Sequence, residues 1–336
     1  MDTAVDDSAG GKLNTMKQRR LFLGWVPRSR RSQVLAERLG AELHQLRRLK
    51  HRSPIHAPFR YSLLALDTWR LLSQSRPHVV FVQNPPPVLA LVVWLFSLRH
   101  PLALVIDHHT AAFGRAWCWI LPAQRFLARE ARLNIVTNEH WQALVEGWGG
   151  DTMILDDMPT QFPIGNPYPM EGRANVAVIS TFAPDEPLEA VVTAAAELPE
   201  VHFYITGDSG RASRSLLAKT PENVTFTGFL PDDDYFGLLR GADAVVALTT
   251  RNYTNQRGAC EAVWLGKALI TSDWPVLRAS FNLGTVHVSN TAEGIKAGVL
   301  KAVQESSMLS AEMVQLQETR REAWRTASRR LEDVLA

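Results

Sequence analysis

The sequence predicts two doubly wound, Rossmann-like α/β domains facing each other across a cleft, and three observations carry that prediction. Short apolar, β-rich runs such as His78 to Val82, Leu102 to Ile106 and Ala244 to Leu248 alternate with helical stretches along most of the chain, the order expected of βαβ units. Pro159, Pro163, Pro167 and Pro169, interleaved with Gly165 and Gly172, break that alternation near the middle and mark a domain boundary. The 336 residues, 46% hydrophobic and 21% charged, suffice for two cores.

In order, Leu21 to Trp25 is a strand, and Ser32 caps a helix that Gly40 stops. A helix over Arg60 to Leu72 precedes the strand His78 to Val82, whose unbroken apolar run fits burial on both faces of a parallel sheet. Gln83-Asn-Pro-Pro-Pro87 bars helix until Val88, and strand Leu102 to Ile106 opens into Asp107-His-His-Thr110. Helix Trp117 to Ala131, strand Leu133 to Thr137 and helix Glu139 to Gly147 complete a first domain over 16–165. A second domain over 174–310 has strands at Val176 to Ile179, His202 to Thr206, Val224 to Thr227, Ala244 to Leu248, Ala268 to Thr271 and Thr285 to Val288, with helices between them. Residues 311–336 read as a long charged amphipathic helix that packs back across the boundary.

Composition narrows the function classes. Residues 1–15 are acidic and polar without the apolar centre of a signal peptide and read as a disordered tail, with Met16 as a second candidate start. Val88 to Leu98 is apolar but short of the ~20 residues a membrane-spanning helix needs, so it reads as a buried helix. Cys118 and Cys260 lack metal-ligand spacing and suggest no disulfide framework, which fits a reducing cytoplasm. Asp232-Asp-Asp234 directly precedes a helix and reads as carboxylates favouring its dipole, so no metal is expected. From Lys17 to Arg76, Lys and Arg far outnumber the acids Glu37, Glu42 and Asp67.

The chemistry is expected at the carboxyl ends of the strands, where ligands of such folds collect. The richest exit is Leu248 to Gly266, a strand, a polar loop and a helix over Gln256 to Leu265. Amides of Gln256, Arg257 and Gly258 with the Arg257 cation suit a phosphate, and Asn255 joins them as a donor-binding candidate. Glu261, one turn on, has two oxygens for the vicinal hydroxyls of a ribose. An ordinary i, i+4 ion pair between Arg257 and Glu261 remains the alternative. Thr181 and Glu186 follow another strand and are donor-binding candidates; Gln83, Asn84 and Arg28 are acceptor-binding candidates. Asp107 or His109 suits a base that takes a proton from an attacking hydroxyl, while Asp107 as a cap or turn residue stays open, and one of the adjacent histidines is expected to be structural.

These residues resemble the GT-B glycosyltransferases, family 4-like, and among them the β-mannosyltransferases acting on chitobiosyldiphosphodolichol. Ile179-Ser-Thr-Phe-Ala-Pro-Asp-Glu186, Ile205-Thr-Gly, Val224-Thr-Phe-Thr-Gly-Phe-Leu and Glu261-Ala-Val-Trp-Leu-Gly-Lys-Ala-Leu-Ile are similar to motifs of that family's second domain. Gln83-Asn-Pro-Pro and Ile106-Asp-His-His are similar to motifs of its first, so the resemblance runs in order from about Leu21 to Val303. The sequence departs from the family in two places: Tyr253 stands eight residues before Glu261, where members commonly carry a first glutamate, and Gly24-Trp25-Val26-Pro27 lacks their Gly-Gly.

The resemblance implies a hexosyltransferase moving a sugar from a nucleotide-diphosphate donor, its co-substrate, to a hydroxyl acceptor, with no metal or other cofactor. It implies a lipid-linked glycan acceptor of polysaccharide or glycoconjugate synthesis. The basic first half adds peripheral contact with an anionic membrane at the inner face of the cell membrane. Two other classes stay open: a non-catalytic partner subunit, motivated by Tyr253, and a basic nucleic-acid binder, for which no aromatic-interleaved module is visible. No nucleic-acid partner is expected.

Overall fold

The computed structural model describes residues 18–27, 29–48 and 56–336. The acceptor candidate Arg28 and the expected tail therefore lie outside the described residues. The first domain runs β1 (Arg20–Gly24), α1 (Arg30–Arg38), β2 (Glu42–Gln45), α2 (Ala57–Ser75), β3 (Val79–Asn84), α3 (Pro87–Ser97), β4 (Ala103–His108), α4 (Leu121–Glu130), β5 (Leu133–Val136), α5 (Glu139–Glu146) and β6 (Thr152–Ile154). The second runs β7 (Ala174–Val178), α6 (Leu188–Ala196), β8 (Val201–Thr206), α7 (Arg214–Ala218), β9 (Val224–Gly228), α8 (Asp232–Gly241), β10 (Ala244–Ala247), α9 (Arg257–Leu265), β11 (Ala268–Ser272), α10 (Pro275–Ser280), β12 (Thr285–Val288), α11 (Ala292–Gln304) and α12 (Ser306–Leu335).

Among the described residues each domain holds one six-stranded sheet, ordered β2-β1-β3-β4-β5-β6 and β12-β11-β10-β7-β8-β9. Every pairing is parallel. The order reverses between β1 and β3 in one sheet and between β7 and β10 in the other, and a crevice opens at the carboxyl ends there. Apolar layers fill both faces of each sheet. Leu21, Val80, Val82 and Ile106 pack on one side of the first and Phe22, Phe81, Val105 and Ile135 on the other. The edge strands β2 and β6 are absent from the sequence expectation. Glu-Leu-His-Gln and Thr-Met-Ile are too short and too polar to give a continuous apolar run, as edge strands tend to be.

The expected helix Val88 to Leu98 is α3, with Leu89, Val92, Val93 and Phe96 buried between its neighbours. Among the described residues no helix is long and apolar enough to cross a membrane. The expected 311–336 helix starts earlier, at Ser306, and joins the domains. Met313 and Leu316 enter the core of the second, Leu331 and Leu335 that of the first, and Arg20 pairs with Glu332. At 30 residues it spans ~45 Å. The connecting segment packs on α8 where two glycines meet: a Cβ on Gly165 would come 2.4 Å from the Gly237 nitrogen, and one on Gly237 would come 1.7 Å from the Asn166 carbonyl oxygen.

Part of the basic excess in the first half is neutralised by acids of the chain. Arg20, Arg30, Arg31 and Arg48 pair with Glu332, Asp232, Asp107 and Asp67, and Arg60 is buried.

Candidate active site

A cleft of about 680 Å³ opens at the switch between β7 and β10. Its floor is the start of α9, which leans so closely on β7 that a Cβ at Gly258 would come 2.9 Å from Ile179. The glycine thus brings the helix amides to the sheet edge, where the positive end of the helix dipole favours an anion. Gln256 is the N-cap residue; its Nε2 donates to the Leu248 carbonyl (2.7 Å) while its Oε1 is buried without a partner. Thr254 Oγ1, Asn255 Oδ1 and Arg257 Nε are likewise buried without a hydrogen-bond partner. Four consecutive residues at one helix start therefore each carry an unpaired polar atom, a costly arrangement for a site meant to stay closed.

Glu261 sits one turn down, 5% exposed. Tyr235 donates its hydroxyl to Oε2 at 2.6 Å, and Arg30 and Arg257 lie 3.4 and 4.0 Å from Oε1. Burial raises the Glu261 carboxyl above its ordinary value, opposed by the Tyr235 hydrogen bond and the two cations. The i, i+4 pair exists, but it is buried in the cleft rather than solvated on a surface. The other two donor candidates play different parts. Glu186 accepts from Ser180 Oγ (2.7 Å), Thr181 Oγ1 (2.9 Å) and the amides of Thr181 and Ala183, so its carboxylate shapes the β7–α6 loop, and Thr181 is left at the cleft rim.

Arg30 escapes sequence reasoning. It enters from the first turn of α1, pairs with Asp232 (3.0 Å) and Glu261 (3.4 Å), and lies 5.0 Å from the centre of the Phe236 ring. A cation at a helix N-terminus opposes the dipole, and Arg31 beside it repeats the conflict; both need acids nearby. The signal in the sequence is Arg30-Arg31 next to the Ser29 cap, in the first α-helix after β1. The apolar rim, Phe229 (78% exposed) and Leu230, ends the Val224 to Leu230 motif but carries no site role in the sequence expectation.

A second cavity of about 350 Å³ lies between the domains and shares Arg30, Thr254, Asn255 and Arg257 with the cleft. His109 faces it and bonds Asp107 Oδ2 through Nε2 at 3.1 Å, which leaves Nδ1 as the nitrogen able to take a proton. Asp107 is the penultimate residue of β4, fully buried, and accepts from Arg31 Nη2 (3.0 Å) and Nε (3.2 Å). Although burial pushes its carboxyl up, Arg31 and His109 outweigh that and hold it far below the usual carboxylate range. So locked, Asp107 neither caps a helix nor suits a base; it orients the His109 ring. Asp156 also faces this cavity, bonded to Asn255, and burial raises its carboxyl.

Gln83 and Asn84 do not reach either cavity. Gln83 Oε1 accepts from Ser32 Oγ (2.9 Å), and Asn84 Nδ2 donates to His108 Nδ1 (3.0 Å). His108 Nε2 in turn donates to Asn134 Oδ1 (3.0 Å), which fixes a neutral tautomer, and burial lowers its pKa to about 4. This is the structural histidine of the pair. Asp232 to Asp234 form the first turn of α8, and Asp234 accepts from Asn166 (3.0 Å). Among the described residues no group of three ligating side chains is placed to hold a metal.

The family model described as "Glycosyl transferase-like" matches residues 186–336. Among solved structures, sucrose-phosphate synthase of Thermosynechococcus elongatus superposes with a TM-score of 0.70 at 13% identity, covering 94% of this chain and 98% of that one. HepE of Anabaena in complex with UDP and glucose gives 0.69 at 13% identity, covering 95% and 99%; its complex with UDP-glucose gives 0.67 at 14%, covering 94% and 100%. The fold is GT-B. No curated protein matches the chain in sequence.

Within this GT-B chain, Tyr253 turns away from the cleft. Its ring stacks on His140 of the first domain (centroids 3.5 Å apart) and its carbonyl accepts from Asn138 Nδ2 (3.0 Å) and Trp141 Nε1 (2.9 Å). The position that sequence comparison pairs with an acid is here an interdomain contact.

Proposed function

We propose that this chain is a glycosyltransferase that moves a hexosyl group from a nucleotide-diphosphate sugar, held mainly by the second domain, to a hydroxyl acceptor held mainly by the first. The observation that carries the reading is the run of buried, unpaired atoms in Thr254, Asn255, Gln256 and Arg257, residues that line a cleft at a helix N-terminus. A diphosphate would meet the α9 amides, Arg257 and Arg30, and the ribose would meet Glu261 by taking the place of Tyr235 or Arg30. His109, held by Asp107, would take the acceptor hydroxyl proton as the oxygen bonds to the anomeric carbon and the diphosphate leaves; positioning and charge stabilisation do the rest. The matching family model supports this, and HepE, described with UDP and UDP-glucose, makes UDP-glucose the first donor to try. Slow donor hydrolysis by the purified protein, weakened at subsaturating donor by Glu261→Gln, is the expected result; no hydrolysis and no UDP binding in wild type would point instead to a non-catalytic partner.

For the acceptor, the narrower similarity to the chitobiosyldiphosphodolichol β-mannosyltransferases favours a lipid-linked glycan reached from the cytoplasmic face of a membrane. Phe59, Leu66, Leu95 and Leu98 are exposed on the α2 and α3 layer, and Arg47, Arg70, Arg76 and Arg99 are exposed in the same domain. A few such cations, each contributing about 1 kcal/mol at an anionic surface, suffice for reversible docking. Co-sedimentation with anionic but not neutral vesicles, fading with salt, is expected. Equal recovery in the supernatant with both would favour a water-soluble acceptor.

A further inference from the structure

On the far side of the domain junction lies a cavity of about 370 Å³ that the proposed transfer does not use. It is lined by Arg38 of α1, Thr160 and Gln161 of the connecting segment, Trp264 at the end of α9, and Arg321, Trp324 and Arg325 of α12. Charge and shape both point to a ligand. Of the three lining guanidiniums, Arg321 (3.0 Å) and Arg325 (3.6 Å) share the single carboxylate of Glu318, and Arg38 meets a carbonyl rather than an acid. Arg38 is held by the Pro159 carbonyl through Nε and Nη2, and Arg321 lies 5.6 Å from the centre of the Trp264 ring, so two cations are preset rather than free to swing. Two indoles supply flat apolar walls. We propose that this cavity binds a small phosphomonoester carried on an aromatic or heteroaromatic ring, the phosphate between the guanidiniums and the ring against Trp324.

The cavity is wired to the cleft. Trp264 Nε1 donates to Asp157 Oδ2 (2.5 Å), Arg320 pairs with the same oxygen (2.9 Å), and Arg257 of the cleft pairs with Oδ1 (3.0 Å). A ligand here touches both domains, the segment joining them and the helix whose other end faces the cleft. The site stands apart from the donor reading and survives its failure. Isothermal titration of the full chain with 1-naphthyl phosphate tests it, alongside 1-naphthol and inorganic phosphate. Saturable 1:1 binding, at least ~10-fold tighter than either fragment, is expected, and Arg321→Ala/Arg325→Ala should weaken it ~10-fold or more. Both side chains are well exposed (40% and 58%), so the double variant should fold, which its melting profile checks. Trp324→Leu should weaken the naphthyl ester while leaving inorganic phosphate unchanged. Absence of saturable binding, equal affinity for naphthol, or binding unaltered in the double variant would overturn the proposal.

Discussion

The two sheets present polar residues at their carboxyl ends in similar numbers, yet the two sets behave differently. At the first sheet Gln83 meets Ser32, Asn84 and His108 form a chain that ends at Asn134, and Asp107 is clamped by Arg31. Only Asn84 Oδ1 among these side chains is left without a partner. At the second, Thr254, Asn255, Gln256 and Arg257 line a cleft and each keep a buried, unpaired atom. A polar cluster that satisfies itself is scaffold; one that does not is built for something else, because buried polar atoms are costly until paired. His109 is the exception on the first side, since its partner Asp107 holds one nitrogen and leaves the other to the cavity.

The largest expected effect breaks that exception. His109→Ala should lower turnover ~10²–10⁴-fold with donor affinity nearly unchanged. Asp107→Asn should lower it too, through the ring's orientation, and should also destabilise the fold by stranding the buried Arg31. Full activity in the His109 variant would place the base elsewhere, with Asp156 next in line because it faces the same cavity.

Next in size is a test that the first-sheet network is scaffold. His108 is held neutral with its pKa lowered to about 4, so in acid the unfolded chain binds a proton that the folded one refuses. Stability then falls as pH drops from about 6.5 towards 4, by about 3 kcal/mol from this group, and is fully present above that window. Urea unfolding at several pH values should show this slope in wild type and a shallower one in His108→Gln. Equal slopes would mean that other groups govern acid sensitivity.

A smaller effect sharpens the second side. Because Glu261 is buried, Glu261→Ala would strand Tyr235 and Arg30, whereas Glu261→Gln keeps an acceptor for Tyr235. Donor affinity should drop about 10-fold in the Gln variant, the difference between charged and neutral hydrogen bonds. Unchanged affinity in calorimetry would remove Glu261 from the ribose.

The alternation of apolar runs and helices, the Pro-rich break between the sheets and the helix start at Arg257 were legible in the sequence because each depends on local pattern. What was not legible depends on partners distant in the chain. Gln83 and Asn84 read as acceptor ligands because a strand exit shows polarity but not that Ser32 and His108 will engage it. Arg30 was missed because its acids, Asp232 and Glu261, lie two hundred residues away. Asp107 read as either a base or a turn residue, and the choice turned on Arg31, which local spacing does not reveal.

The most direct measurement concerns an atom with no protein partner at all. Thr254→Val removes Oγ1 and keeps the side chain's shape, so if that oxygen exists for the donor the fold should lose nothing. Calorimetric titration with UDP-glucose, paired with thermal melting, should find unfolding unchanged or slightly raised and affinity ~3–10-fold weaker, the worth of one neutral hydrogen bond. A variant that melts earlier yet binds UDP-glucose as wild type does would contradict the account, because Thr254 would then belong to the scaffold and the unpaired run at α9 would not mark a donor site.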